Sequence, residues 1–378
     1  MSTFTNFYFL KNNRANFELD VRKDAKLVFG YTKLKDLVDS MLGDATISGT
    51  PPKSFWWGQY GCGKTHHLHY TEQTINAVMP FRVVRFDLPE VTSKSLFNDL
   101  QLNLVTRIDL AYFRPLLISR YQADLTWLQH LSIPPDVRQA FNTIISNEMR
   151  ALEAWRFLAG IKTDDPGGIG VTKKQLTEGE EFAAAIATIA EVIHLQENKM
   201  LLYLIDEAEG LSAVTNADSQ KKWAHSLRKC LDLRVGFVLA IAAEKQQYIP
   251  EILQAQEVWR RVGDDYIVAL QALRVPEIEG FLRGLLHAFI DEQKLIAAEG
   301  AGTFANYPLY DRSTFPFTQE ALTGYAKYLG HNQQNSKPSE ILKNLQKISH
   351  AAVRVDKRVI DKDFLTTAGP DGQSCFHD

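Results

Sequence analysis

Gly58-Gln59-Tyr60-Gly61-Cys62-Gly63-Lys64-Thr65 fills every fixed position of the phosphate-loop pattern G-x-x-x-x-G-K-[ST]. Each fixed position has a physical reason. Glycines allow a tight turn that aims successive backbone N–H groups inward, an anion nest that runs into a helix N-terminus. Lys64 adds a point charge for β- and γ-phosphates, and the Thr65 hydroxyl can take a place on Mg²⁺. The flanks agree with this reading. Upstream, Lys53-Ser54-Phe55-Trp56-Trp57 is a short apolar, aromatic run introduced by Pro51-Pro52, which predicts a buried strand feeding the loop. Downstream, His66 to Val78 has no Gly or Pro and carries Leu68, Ile75 and Val78 among polar residues, which predicts a helix. His66, His67 and His69 are read as a packed or solvated helix start rather than a metal site.

A second stretch turns a nucleotide site toward hydrolysis. Met200-Leu201-Leu202-Tyr203-Leu204-Ile205 is continuously apolar, as a parallel strand buried on both faces must be, and it ends at Asp206-Glu207. The C-terminal end of such a strand is where a parallel sheet presents chemical groups to a ligand. Asp206 is placed to hold Mg²⁺ through water, as in a Walker B motif. Glu207 follows it and can polarise the attacking water as general base. Without the phosphate loop, the same residues would read as a strand ending in two solvated carboxylates.

Composition sets the outer limits. The chain has 378 residues, 45% hydrophobic and 23% charged, which fits a globular protein of two domains or one large one with insertions. A formal net charge of −3 gives no general basic field for nucleic acid. Cys62, Cys230 and Cys375 are odd in number and widely spaced, resembling neither a disulfide framework nor a zinc site. They fit a reducing, cytoplasmic setting. Cys62 occupies a variable position of the loop and is read as a small filler rather than a redox switch. No apolar run approaches membrane-spanning length, so no membrane partner is expected.

Along the chain, Met1 to about Lys26 mixes aromatic and polar residues that can lie across a core, and Thr32 to Leu42 is amphipathic. Phe81 to Leu88 predicts the next strand. The path from there to Asp206 is too long for a simple crossover and reads as helical over Ser93–Ser119, Pro135–Ile161 and Glu178–Glu197. Ser219–Leu231 predicts a helix, Val235–Ala243 a buried strand, Ile252–Val262 a helix ending in Trp259-Arg260-Arg261, and Asp265–Leu270 a last strand. Beyond it the pattern is helical only, over Pro276–Gln293, Thr318–Leu329 and Pro338–Val353. The tail from Ala368 to Asp378 is expected to be disordered. The expected class is therefore α/β, a parallel-sheet P-loop NTPase core carrying a large helical insertion and an all-helical C-terminal lid. The expected boundaries are 1–275 for the core with its insertion at about 91–199, 276–367 for the lid and 368–378 for the tail.

This order of parts resembles an AAA+ ATPase of the origin recognition complex-like branch. More narrowly it resembles the P-loop ATPases of BREX-type phage-exclusion systems. Gly58 to His66 is similar to their G-x-Y-G-x-G-K-T-H, and Trp155-Arg156-Phe157-Leu158-Ala159-Gly160 with Leu204-Ile205-Asp206-Glu207-Ala208-Glu209 is similar to their insertion and Walker B region. The resemblance implies an ATP-binding and ATP-hydrolysing protein with Gly58, Tyr60, Gly61, Cys62, Gly63, Lys64, Thr65, His66 and Asp206 on the nucleotide. Thr65 and Asp206 would serve the metal, and Glu207 and Lys64 the chemistry. It also implies an arginine finger completing a neighbouring subunit's site, for which Arg260 and Arg261 are the candidates.

The chain departs from the family pattern in two places. Where a polar sensor-1 residue is usual it has Ala242-Ala243-Glu244, and where sensor 2 is usual it has Pro338-Ser339, leaving Lys337 or Lys343 to stand in. Two functions follow from the resemblance. One is an oligomeric motor or switch ATPase acting on double-stranded DNA or within an anti-phage defence complex. The other is a slow-turnover, nucleotide-gated module that docks a protein partner on its helical insertion. The absent sensor residue and the charge favour the second, and the order of motifs favours the first. A metabolic kinase would leave the arginine segment and helical lid unexplained.

Overall fold

The computed structural model describes residues 3–75, 80–88, 96–213 and 216–367. The tail expected to be disordered lies outside these, as do Cys375 and the predicted helical residues at 76–78 and 93–95.

Five parallel strands form one sheet: β1 (Lys53–Gly58), β2 (Phe81–Asp87), β3 (Met200–Asp206), β4 (Val235–Ala242) and β5 (Ile267–Leu270), in the order β2-β3-β4-β1-β5. The α/β class with a parallel sheet expected from the sequence is the one observed. The apolar runs explain the arrangement. Every residue of β3 is buried, and so is all of β4 except Ala242, as strands covered on both faces require. Tyr203 brings a hydroxyl into this core and donates it to the Leu104 carbonyl at 2.6 Å. Trp56 does the same with its indole, donating to Ser54 Oγ at 2.8 Å, and Ser54 donates in turn to the Tyr266 carbonyl at 2.6 Å.

Two compact units hold the chain. One comprises Leu37–Gln59 and Thr71–Ala269, with the sheet and the helical insertion. The insertion joins neighbouring strands β2 and β3 through the helices Leu96–Thr106, Leu110–Ala123, Trp127–His130, Pro135–Ser146, Glu148–Leu158 and Gly179–Glu197. Its core is aromatic, with Phe113, Phe141, Trp155 and Phe157 buried.

The other unit comprises Met1–Asp36, Tyr60–Tyr70 and Leu270–Asp378. Its described C-terminal helices are Val275–Phe289, Glu292–Gly300, Gln319–His331, Pro338–Arg354 and Lys362–Thr367. The mixed N-terminal segment packs into their core through Phe4, Phe7, Tyr8, Leu10 and Phe17.

Four helices predicted as single runs are each two. Asp109 and Asn147 break the insertion runs, each in extended backbone with its side chain accepting an N–H of the following helix, from Ala111 and Arg150. Extended Ala255 separates Glu251–Gln254 from Gln256–Val262, and Asp291 caps Glu292–Gly300 after Val275–Phe289 has ended.

Candidate nucleotide site

The phosphate loop follows β1 directly along the chain, and the helix Lys64–Thr74 begins at its lysine. Gly61 and Gly63 hold φ of +83° and +86°, the left-handed region that an L side chain enters at a cost of about 1–2 kcal/mol. Gly61 is closed off by more than its dihedral. An added Cβ would stand 2.1 Å from Ser339 Oγ, and the Ser339 N–H donates to the Gly61 carbonyl at 3.3 Å. The N-terminal turn of the helix Pro338–Arg354 therefore lies against the loop.

Lys64 is buried, with its ammonium 5.7 Å from the centroid of the exposed Tyr60 ring, whereas Thr65 is exposed. Cys62 is buried beside Tyr31. Burial, then the neighbouring Cys62, push the Tyr31 phenol well above its ordinary range, and its hydroxyl donates to the Gln271 carbonyl at 2.6 Å. His66 Nε2 lies 3.0 Å from the Leu27 carbonyl and His67 Nδ1 lies 2.8 Å from that of Gly63. Burial lowers the His67 imidazole to about 4 and lowers that of His66 as well, so both are neutral at neutral pH. No group of three or more His, Cys, Asp or Glu able to hold a metal ion is found among the described residues.

The sheet supplies the carboxylates. β1 and β3 both flank β4, in parallel, so Gly58 and Asp206 end at the same edge. Asp206 is only 4% exposed and its carbonyl accepts the Leu88 N–H at 2.9 Å. Glu207 is exposed and sits at φ +57°, a strained position for a residue with a side chain. Its N–H donates to Asp206 Oδ1 at 2.9 Å, and its carbonyl accepts the Gly210 N–H at 3.2 Å. Hydroxyl and carboxylate oxygens, such as Thr65 and Asp206 each carry, are the donor chemistry Mg²⁺ prefers, and positive φ at Gly61 and Gly63 is the backbone an anion nest uses. In donor chemistry these residues fit ATP and its metal.

The two candidate arginines differ sharply. Arg261 is tied within its own chain, its Nε–H donating to Asp232 Oδ1 at 2.5 Å and its Nη1–H to the Glu257 carbonyl at 2.9 Å. Arg260 is exposed, makes no hydrogen bond or ion pair among the described residues, and lines a cleft of about 540 Å³ with Gln246, Gln254, Gln256, Trp259 and Asp264.

The sensor-2 stand-ins are also engaged, Lys337 with Gln334 and Lys343 with Glu340, at 2.5 and 2.6 Å. Glu244 is exposed. At the end of β4 the Ala242 N–H is instead met by Glu209, whose Oε2 accepts it at 2.8 Å. Sequence reading quoted Glu209 in the Walker B resemblance and Ser339 at the sensor-2 departure but gave neither a role, because each acquires its neighbour only when the chain folds.

The fold is similar to that of the ORC2 protein of Aeropyrum pernix in ADPNP–ADP complexes, with 11% identity over 99% of this chain and 72% of that one and a TM-score of 0.49. It is similar to Cdc6p from Pyrobaculum aerophilum at 10% identity, over 98% and 72% of the two chains with a TM-score of 0.45. It is also similar to the RuvB Holliday junction branch migration motor of Thermotoga maritima at 12% identity, over 89% and 67% with a TM-score of 0.40. No family model and no curated protein matches the sequence. At these identities the likeness is one of fold, and the site has to be argued from its own residues.

Proposed function

We propose that this protein binds ATP with Mg²⁺ and hydrolyses it to ADP and phosphate. The observation that carries the reading is the shared sheet edge, where β1 delivers the glycine loop and β3 delivers Asp206-Glu207 on either side of β4. Lys64 and the loop N–H groups would hold the β- and γ-phosphates, and Tyr60, Cys62 and His66 would line the same segment. Thr65 and Asp206 would hold Mg²⁺, which when bound neutralises charge that develops on the phosphate oxygens. Glu207 would take the proton of the attacking water. The functional division proposed is a nucleotide core over 1–275 and a helical lid over 276–367.

We assign the finger role to Arg260, because a trans-acting guanidinium must be uncommitted in its own chain, and place the protein in a homo-oligomer on that ground. Action on double-stranded DNA and a role in anti-phage defence rest on the motif resemblance alone.

The test is ATP turnover against protein concentration, with and without duplex DNA. Glu207→Gln should keep nucleotide binding and lose turnover by about 10²–10⁴-fold, and Lys64→Ala should lose binding. Turnover that survives Glu207→Gln overturns the assignment of the base. Stimulation by duplex DNA supports the motor; its absence, with turnover per subunit independent of concentration, supports the nucleotide-gated module. One observation favours that second reading. Met149 is 94% exposed, and Leu152 three residues on is exposed beside it on the insertion helix Glu148–Leu158, an apolar surface a protein partner would cover.

A further inference from the structure

We infer that Glu209 is a positioning residue of the proposed hydrolytic site, holding the turn that carries Glu207 against the end of β4. The inference rests on the nucleotide-hydrolysing reading and begins from sheet geometry. β3 and β4 pair in parallel up to Ile205 and Leu239, after which β3 ends at Asp206 while β4 continues to Ala242. Consecutive N–H groups of a strand point to opposite neighbours. The Ala243 N–H goes to the β1 side, reaching the Gly58 carbonyl at 3.0 Å. The Ala242 N–H therefore faces the side that β3 has left. A half-buried N–H there needs an acceptor, and no strand backbone supplies one.

Glu209 supplies it, with Oε2 at 2.8 Å. The residue lies in the 3₁₀ turn Ala208–Ala213, directly after Glu207. Glu207 itself is tied locally, its N–H to Asp206 at the end of β3 and its carbonyl to the Gly210 N–H within the turn. Ala208 and Leu211 bury apolar surface beneath it, and that packing is non-directional. The Glu209 bond is directional and charge-assisted, and it ends on the strand that separates β3 from the phosphate-loop strand. Through Ala242, Ala243 and Gly58 it connects the general-base turn to the start of the loop. The position where a sensor residue would stand on β4 is alanine, and the polar tie at that strand end comes from Glu209 instead.

What this role needs from residue 209 is an acceptor oxygen at the right reach. Charge is secondary, so a carboxamide serves. The experiment measures kcat and KM for ATP with the full chain, together with thermal unfolding and hydrogen exchange at Ala242, for wild type, Glu209→Ala and Glu209→Gln. Expected are a kcat lowered about 10²-fold in Glu209→Ala with KM moved less than about threefold, and recovery to within about threefold of wild type in Glu209→Gln. The Ala242 amide should exchange faster in Glu209→Ala alone. A working wild type indifferent to Glu209→Ala sinks the assignment by itself, as does a Glu209→Gln variant as impaired as Glu209→Ala. A wild type without turnover, or one untouched by Glu207→Gln, sinks the hydrolytic reading and this assignment with it.

Discussion

Gly61 carries two constraints that can be separated by mutation. Its φ of +83° disfavours any side chain, and Ser339 Oγ occupies the place where a Cβ would go. Gly61→Ala should cost about 1–2 kcal/mol from the dihedral alone and displace the Ser339 turn besides. Titration with a fluorescent ATP analogue should show binding lost or severely weakened. Ser339→Ala should bind normally, and the double variant should stay impaired because the dihedral penalty persists. Full recovery in the double variant would mean that crowding, not backbone conformation, governs the loop. At this scale the sequence was most informative where a residue's chemistry is local. Lys64, Thr65 and Asp206 announce themselves by type and spacing. The left-handed φ of Glu207 could not be read, since nothing in Asp206-Glu207-Ala208 demands it; it follows from how the chain turns off β3.

Among the elements, the short helix Gln256–Val262 divides labour between adjacent arginines. Arg261 holds Asp232 across half-exposed surface, a pair worth about 0–1 kcal/mol. Arg261→Ala should therefore lower the unfolding temperature slightly and leave ATP turnover near wild type. Arg260→Ala should do the reverse, leaving thermal stability unchanged and cutting concentration-dependent turnover by about 10³-fold or more. A silent Arg260→Ala with an inactive, stable Arg261→Ala would invert the assignment. Sequence could nominate the pair but not choose between them, because Asp232 lies 29 residues away in the chain and meets Arg261 only in the fold. Element boundaries had the same limit. The strands β3 and β4 were legible because unbroken apolar runs have few other uses, and β2 because its apolar residues alternate with polar ones. The helical breaks at Asp109, Asn147, Ala255 and Asp291 were not, since apolar periodicity continues on both sides; the caps Asp109, Asn147 and Asp291 look like ordinary surface residues, and Ala255 carries no capping side chain at all.

Across the whole molecule, the expectation that the N-terminal segment crosses a core acquires a specific anchor. Arg14 donates to both carboxylate oxygens of Asp24, one at 2.6 Å, and its guanidinium lies 4.0 Å from the centroid of Phe289. Asp24 is 3% exposed. Burial alone would raise its carboxyl; the hydrogen bonds from Arg14 and the Asp20 N–H, with the Arg14 charge, outweigh that and hold it below its ordinary value. The folded state thus binds the Asp24 proton less readily than the unfolded chain does. The stability this contributes is present above the unfolded pKa of about 3.9 and is lost as pH falls through the lower folded value. Arg14→Met reverses the sign, because burial, the largest influence on this carboxyl, then outweighs the remaining bond from the Asp20 N–H. It should cost about 3–5 kcal/mol at neutral pH, since an uncompensated carboxylate is left inside, and stability should now improve on mild acidification. The double variant Arg14→Met/Asp24→Leu should regain most of the loss, a paired charge and a packed apolar contact being near equivalents in such a site. Urea denaturation at pH 7 and pH 5, with hydrogen exchange at Tyr8 and Leu286 to localise the change, would test this. Equal stability of Arg14→Met and wild type at pH 7 would show that the pair anchors nothing and that Phe4, Phe7, Tyr8 and Phe17 hold the N-terminal segment by apolar burial alone.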